Sequence, residues 1–197
     1  VDEVAATVIT TAMRDAAFDA TAATSEEHDE DPFKAGDFVV YLAHGVGRID
    51  SIGDEEIGGH RLRIIQISFA ENRMTLRIPA VKARLAGLRR VAPPEALEAA
   101  LATLQQPRRT SRMAWTKRAQ DYLARINSGE IEALAGVVRD LQGAADGSGS
   151  SFSQRNLFEL AIDRLAAEFA VAAGVDKTEA MARLTGALRK TTVAAAA

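Results

Sequence analysis

The chain has 197 residues, of which 47% are hydrophobic and 26% charged, with a net charge of -3 and no cysteine. That usage suits a chain able to bury a core, and it excludes disulfides and thiolate metal sites. No apolar run approaches the roughly 18 residues that a membrane span needs. Because the first residues are acidic where an export signal is basic and then apolar, the reading is a cytoplasmic protein.

Residues 1–32 hold nine acidic side chains against the single Arg14, about -8, which leaves about +5 for the rest. With few large apolar residues, this stretch is expected to be a flexible acidic tail. Val4, Val8 and Met13 fall loosely on one face, so a helix near Val4 to Phe18 is an option.

From Phe33 the texture changes to short β-branched runs. Phe38 to Leu42, Val46 to Ile52, Leu62 to Phe69 and Met74 to Ile78 have strand length, with glycine and charged residues between them. Alternation in the third run is imperfect, as expected for a strand covered partly on both sides. A fifth strand at Leu88 to Val91 would close a small antiparallel β barrel of SH3-like or Tudor-like type.

Ala92-Pro93-Pro94 ends the strand texture, since proline excludes a continuing strand and suits a helix's first turn. Five helices follow by apolar spacing: Glu95 to Gln105, Trp115 to Asn127, Glu130 to Gln142, Ser153 to Ala173 and Lys177 to Arg189. Asp176 and Glu179 fit a capping box. The expected class is therefore α+β: a tail at 1–32, a β domain at 33–92, an all-α domain at 93–190 and a frayed end at 191–197.

Catalysis finds no support. His28, His44 and His60 are scattered, so no metal spacing or acid-base dyad is visible, and no cofactor is expected. The GxG of His44-Gly45-Val46-Gly47 has no helix after it to supply phosphate-binding N–H groups, and reads as a tight connection between strands. Arg108, Arg109, Arg112, Lys117 and Arg118 surround the only tryptophan, Trp115, at the start of a helix whose dipole favours phosphate. Trp115, Ala119, Tyr122 and Ile126 also recur at helical spacing, which by itself assigns the tryptophan to a core. Arg77 lies on a run that ends at Pro79, a pattern of exposed sheet edges that can accept another protein's strand, or simply of a solvated arginine.

Several of these segments, taken in order, resemble the CarD/CdnL family of bacterial RNA-polymerase-binding regulators. They are Phe33 to Tyr41, His44-Gly45-Val46-Gly47, Leu76-Arg77-Ile78-Pro79, Gly87-Leu88-Arg89, Trp115-Thr116-Lys117-Arg118 and Val137-Val138-Arg139-Asp140-Leu141. The resemblance implies a Tudor-like domain, shared with transcription-repair coupling factor, that docks on the RNA polymerase β subunit, with Leu76, Arg77 and Pro79 at the contact. It further implies that the helical domain meets promoter DNA at the upstream edge of the bubble. There Trp115 would wedge into the minor groove, while Arg109, Arg112, Lys117 and Arg118 hold phosphates. The expected protein is a monomer that stabilises the open complex without reading sequence. The alternative is an adaptor that binds polymerase and no DNA. Three features depart from the family's pattern: the acidic tail, the stretch Asp54-Glu55-Glu56 read as an acidic turn, and Ala119-Gln120 where some relatives carry larger or basic residues.

Overall fold

The computed structural model describes residues 33–71, 73–109, 112–144 and 151–194, the side chains of 190–194 excepted. The expectations for residues 1–32 lie outside them. Five strands come first: β1 (Phe38–Tyr41), β2 (Gly45–Ile57), β3 (His60–Phe69), β4 (Met74–Pro79) and β5 (Leu88–Arg90), with a short helix α1 (Ala80–Ala83) before β5. Then follow α2 (Pro94–Leu104), α3 (Trp115–Ile126), α4 (Ile131–Leu141), α5 (Phe152–Ala173) and α6 (Lys177–Ala194). The class is α+β, as expected.

The strands form one antiparallel sheet in the order β4-β3-β2-β1-β5. β5 pairs with β1, Tyr41 opposite Leu88, and no ladder joins it to β4 among the described residues, so the sheet does not close into a ring. The fifth strand widens the sheet instead of sealing it. β2 also runs further than its apolar residues predict. Asp54-Glu55-Glu56 is not a turn but part of this strand, with Asp54 opposite Arg63 and Glu56 opposite Arg61. Opposite charges facing each other across the hairpin favour pairing there. The turn itself is Gly58-Gly59, whose φ values of 61° and 79° suit the tight hairpin connection that only glycine-like residues make cheaply.

Val39, Ile49, Ile65, Ile67, Phe69, Ile78 and Leu88 form the core of the sheet, with Phe33 and Ala83. Ile64 and Ile65 are both buried although they point to opposite faces, in keeping with cover on both sides. Gly47 lies beneath this core: a Cβ there would stand 2.7 Å from Ile67 Cγ2 and 2.8 Å from Phe69 Cε1.

A second core fills the helical part, and α4 is its centre. Leu134, Ala135, Val137, Val138 and Leu141 are buried on almost every side of that helix, against Leu97 and Leu104 of α2, Tyr122 and Ile126 of α3, and Leu165 and Phe169 of α5. Pro94 occupies the first turn of α2, where its missing N–H costs nothing. The Asp176 carboxylate accepts the Glu179 N–H at 2.8 Å, while Glu179 itself pairs with Arg183. A full capping box occurs instead at Ser151 and Gln154. α6 runs through Ala194, and residues 195–197 of the expected frayed end lie outside the described residues. No helix among the described residues is long and apolar enough to cross a membrane.

Candidate nucleic-acid and protein interfaces

The basic segment predicted from sequence has a defined anchor. Asp140, in the middle of the helical core and 5% exposed, accepts the backbone N–H of Arg109 at 3.2 Å through Oδ1. The same oxygen accepts Arg139 Nε at 2.9 Å and Nη2 at 2.7 Å. Its other oxygen faces Arg125 Nη1 at 3.5 Å, and Arg139 Nη1 reaches Gln106 Oε1 at 3.1 Å. Two guanidinium groups and a backbone amide thus satisfy one buried carboxylate, which is the condition for tolerating it there. Its consequence is local order: residues 106–109, the lead-in to α3, are pinned to α4.

Gly136 makes room for Arg125, whose guanidinium lies where a Cβ would stand and donates to Ala133 O at 3.3 Å. Burial, and then the Asp140 carboxylate, push the Tyr122 hydroxyl above its usual range against the opposing pull of Arg118, Arg125 and Arg108.

Outward from this anchor stand the cations. Arg108, Arg109, Arg112 and Lys117 are exposed, and none of the four forms an ion pair among the described residues. Trp115 is the first residue of α3 and is half-buried, its ring 6.4 Å from that of Tyr122 and capped by the Arg118 guanidinium at 5.4 Å. It is one of the partly buried side chains that pack against the helical core. The cap position of α3 holds Ala114, whose side chain offers no acceptor for the first-turn N–H groups. Arg109, Arg112, Trp115, Lys117 and Arg118 therefore belong to one loop and one helix start.

Leu76, Arg77 and Pro79 lie on β4, the outermost strand on its side of the sheet. Arg77 is exposed, Leu76 and Pro79 are half-buried, and Pro79 closes the strand opposite Ile64. After it in the chain, Val81 of α1 and Leu85 are apolar and exposed, at 79% and 89%. The Arg77 guanidinium pairs with Glu55 of β2. The sequence showed the acid at Glu55 but not that it faces this arginine. It likewise offered Arg139-Asp140 only as a motif, because a buried ion pair is recognisable only once its partners are in space.

A sheet with β4 at one of its edges, followed by a helical bundle with a cationic, tryptophan-bearing helix start, defines an α+β protein. Residues 33–92 match the model of the CarD-like/TRCF RID domain, and residues 99–185 match that of the CarD C-terminal domain. The chain belongs to the CarD/CdnL family, a family of transcription regulators. It is similar to a protein of Bacillus subtilis (strain 168) named "Putative transcription factor YdeB", at 27% identity over 147 residues, 75% of this chain and 96% of that one.

Proposed function

We propose that this regulator docks on the RNA polymerase β subunit through residues 33–92 and stabilises the promoter open complex through sequence-independent DNA contact by residues 93–190. It acts as a non-enzymatic monomer in the cytoplasm. The observation that carries this reading is Trp115 at the uncapped start of α3, half-buried beneath the Arg118 guanidinium, with exposed Lys117 on the same helix start and exposed Arg109 and Arg112 on the preceding loop, which Asp140 holds at Arg109. Phosphates bind such a place through the side chains of Arg109, Arg112, Lys117 and Arg118 and through first-turn N–H groups. With phosphates held, the indole is positioned to enter a distorted minor-groove step, where it offsets part of an unstacking cost of a few kcal/mol.

For docking, the bare edge of β4 offers backbone groups to a partner strand, with Leu76 and Pro79 as apolar contacts and Arg77 as the charged one. Glu55 already pairs with Arg77, so docking exchanges one carboxylate for another and the net gain is modest. Open-complex dissociation rates, measured with and without the protein and with Trp115→Ala, test the reading. Slower dissociation that requires Trp115 supports it. Polymerase binding with no effect on dissociation leaves the adaptor alternative.

A further inference from the structure

We propose that Glu168 is a positioning residue that locks the sheet to the helical bundle in a single orientation, fixing the span between the β4 edge and the Trp115 surface. The proposal rests on the two-contact reading above for its functional consequence, though not for the lock itself.

Glu168 is on α5 and 2% exposed, although it is a carboxylate. Its whole complement of partners comes from the exit of the sheet. Arg89 of β5 grips it with both ends of its guanidinium, Nη1 to Oε1 at 2.5 Å and Nη2 to Oε2 at 2.8 Å, and the Ala92 N–H donates to Oε1 at 3.0 Å. One turn earlier on α5, Arg164 Nη1 donates to Leu42 O at 3.0 Å, in the β1–β2 connection, and to Asn127 Oδ1 at 3.2 Å, at the end of α3. Burial lowers the pKa of Arg164, so its charge too is held in a poorly solvated seam.

Leu42 is itself seated against the α3–α4 connection: a Cβ at Gly129 would lie 2.9 Å from Leu42 Cδ2. Lys177, the first residue of α6, bridges Asp163 of α5, at 2.6 Å, and Glu71 of the β3–β4 connection. α5 thus holds two separate points of the sheet directly, and a third through Lys177 of α6.

Directionality is what such a seam adds. Two modules joined by a short linker move relative to one another by default, and an apolar seam alone permits sliding. A bidentate guanidinium-carboxylate pair is satisfied at one distance and one angle. A buried ion pair is a poor source of stability compared with an apolar pair of equal volume, so its value here lies in orientation. The residues that carry it sit where the chain leaves β5, which is where a hinge between the two modules would have to bend.

The test uses the full chain, which has no cysteine of its own, with labels at Ile57→Cys in the β2–β3 hairpin and Arg155→Cys on α5. Both positions are exposed. Interspin distance distributions are compared for the parent, for Glu168→Gln, and for Arg89→Met with Glu168→Leu, which refills the seam without the directional pair. The expected result is one narrow distance in the parent and a broadened distribution in both variants. Polymerase affinity should stay within about twofold, while open-complex half-life falls at least threefold. Distances equally narrow in both variants would overturn the lock, and a broadened distribution with an unchanged half-life would overturn its functional consequence, the fixed span between the two contacts. If Trp115→Ala in the parent leaves half-life untouched, the DNA-contact reading fails, and the distance distributions alone still decide the lock.

Discussion

The carboxylate of Asp140 and the backbone N–H of Arg109 meet at 3.2 Å, tying the most buried helix of the bundle to its most cationic loop. Removing the charge should therefore have two effects. Asp140→Asn leaves Arg139, only 2% exposed, without its counter-charge. Breaking a buried pair by changing one partner costs about 3 to 5 kcal/mol, so chemical denaturation should register a loss of that order. DNA affinity of the remaining folded protein should also fall, because the 106–109 segment loses its anchor. A variant as stable as the parent would show that Arg139 finds another partner.

Arg77 and Glu55 make an exposed pair, with side chains 53% and 41% accessible. Pairs of this kind contribute about 0 to 1 kcal/mol. Glu55→Gln should free Arg77 for a partner's carboxylate and raise polymerase affinity up to about fivefold. Arg77→Glu should lower it without unfolding the protein. Titration of polymerase with the two variants checks both signs, and identical affinities would place docking away from β4.

Gly47→Ala tests the packing of the sheet. The added methyl would press on Ile67 and Phe69 at contact distances no Cβ adopts, and overpacking of this kind typically costs about 1 to 3 kcal/mol. The thermal transition should fall by several degrees, and an unchanged midpoint would mean that the Phe69 ring has room to turn aside.

Tyr122 gives a pH dependence. Its hydroxyl has a raised pKa in the folded protein, so folding favours the neutral phenol. That contribution is complete below the unfolded-state value of about 10 and is lost as pH climbs through the folded one. Stability should therefore drop on the alkaline side of about pH 10, and Tyr122→Phe should flatten that part of the curve. Equal slopes for the two proteins would remove Tyr122 as the cause.

How much of this was legible in the sequence follows from the range of the interactions involved. Helices α2 to α6 could be read off because apolar spacing is a local signal, as in Tyr122 and Ile126 or Leu134 and Val138. The far half of β2 could not, because Gly53 and the acids after it look like a turn until Arg61 and Arg63 are known to stand opposite. Helix α1 has four residues, too few for any period. Of the candidate site, Trp115 and its cations were visible as a cluster along the chain. Asp140 was quoted only within a motif, and Glu168 lies 79 residues from Arg89 and carries no local sign of its role.

Trp115→Ala separates docking from DNA contact. The indole rests on Tyr122 and under Arg118 but keeps part of its surface in solvent. A fully buried aromatic typically costs about 3 to 5 kcal/mol on truncation, so the loss for a half-buried ring at a helix's first residue should be smaller. Polymerase affinity should persist, since β4 is a separate surface. On the proposed reading, open-complex half-life should fall several-fold, because the wedge would be gone while Arg109, Arg112 and Lys117 would still hold phosphates. As the chain's only tryptophan, Trp115 also reports on itself: acrylamide should quench its fluorescence in the free protein and quench it less once promoter complexes form. Severe destabilisation together with an unquenchable indole would assign Trp115 to the bundle core, and an unchanged half-life would leave the protein an adaptor that touches polymerase alone.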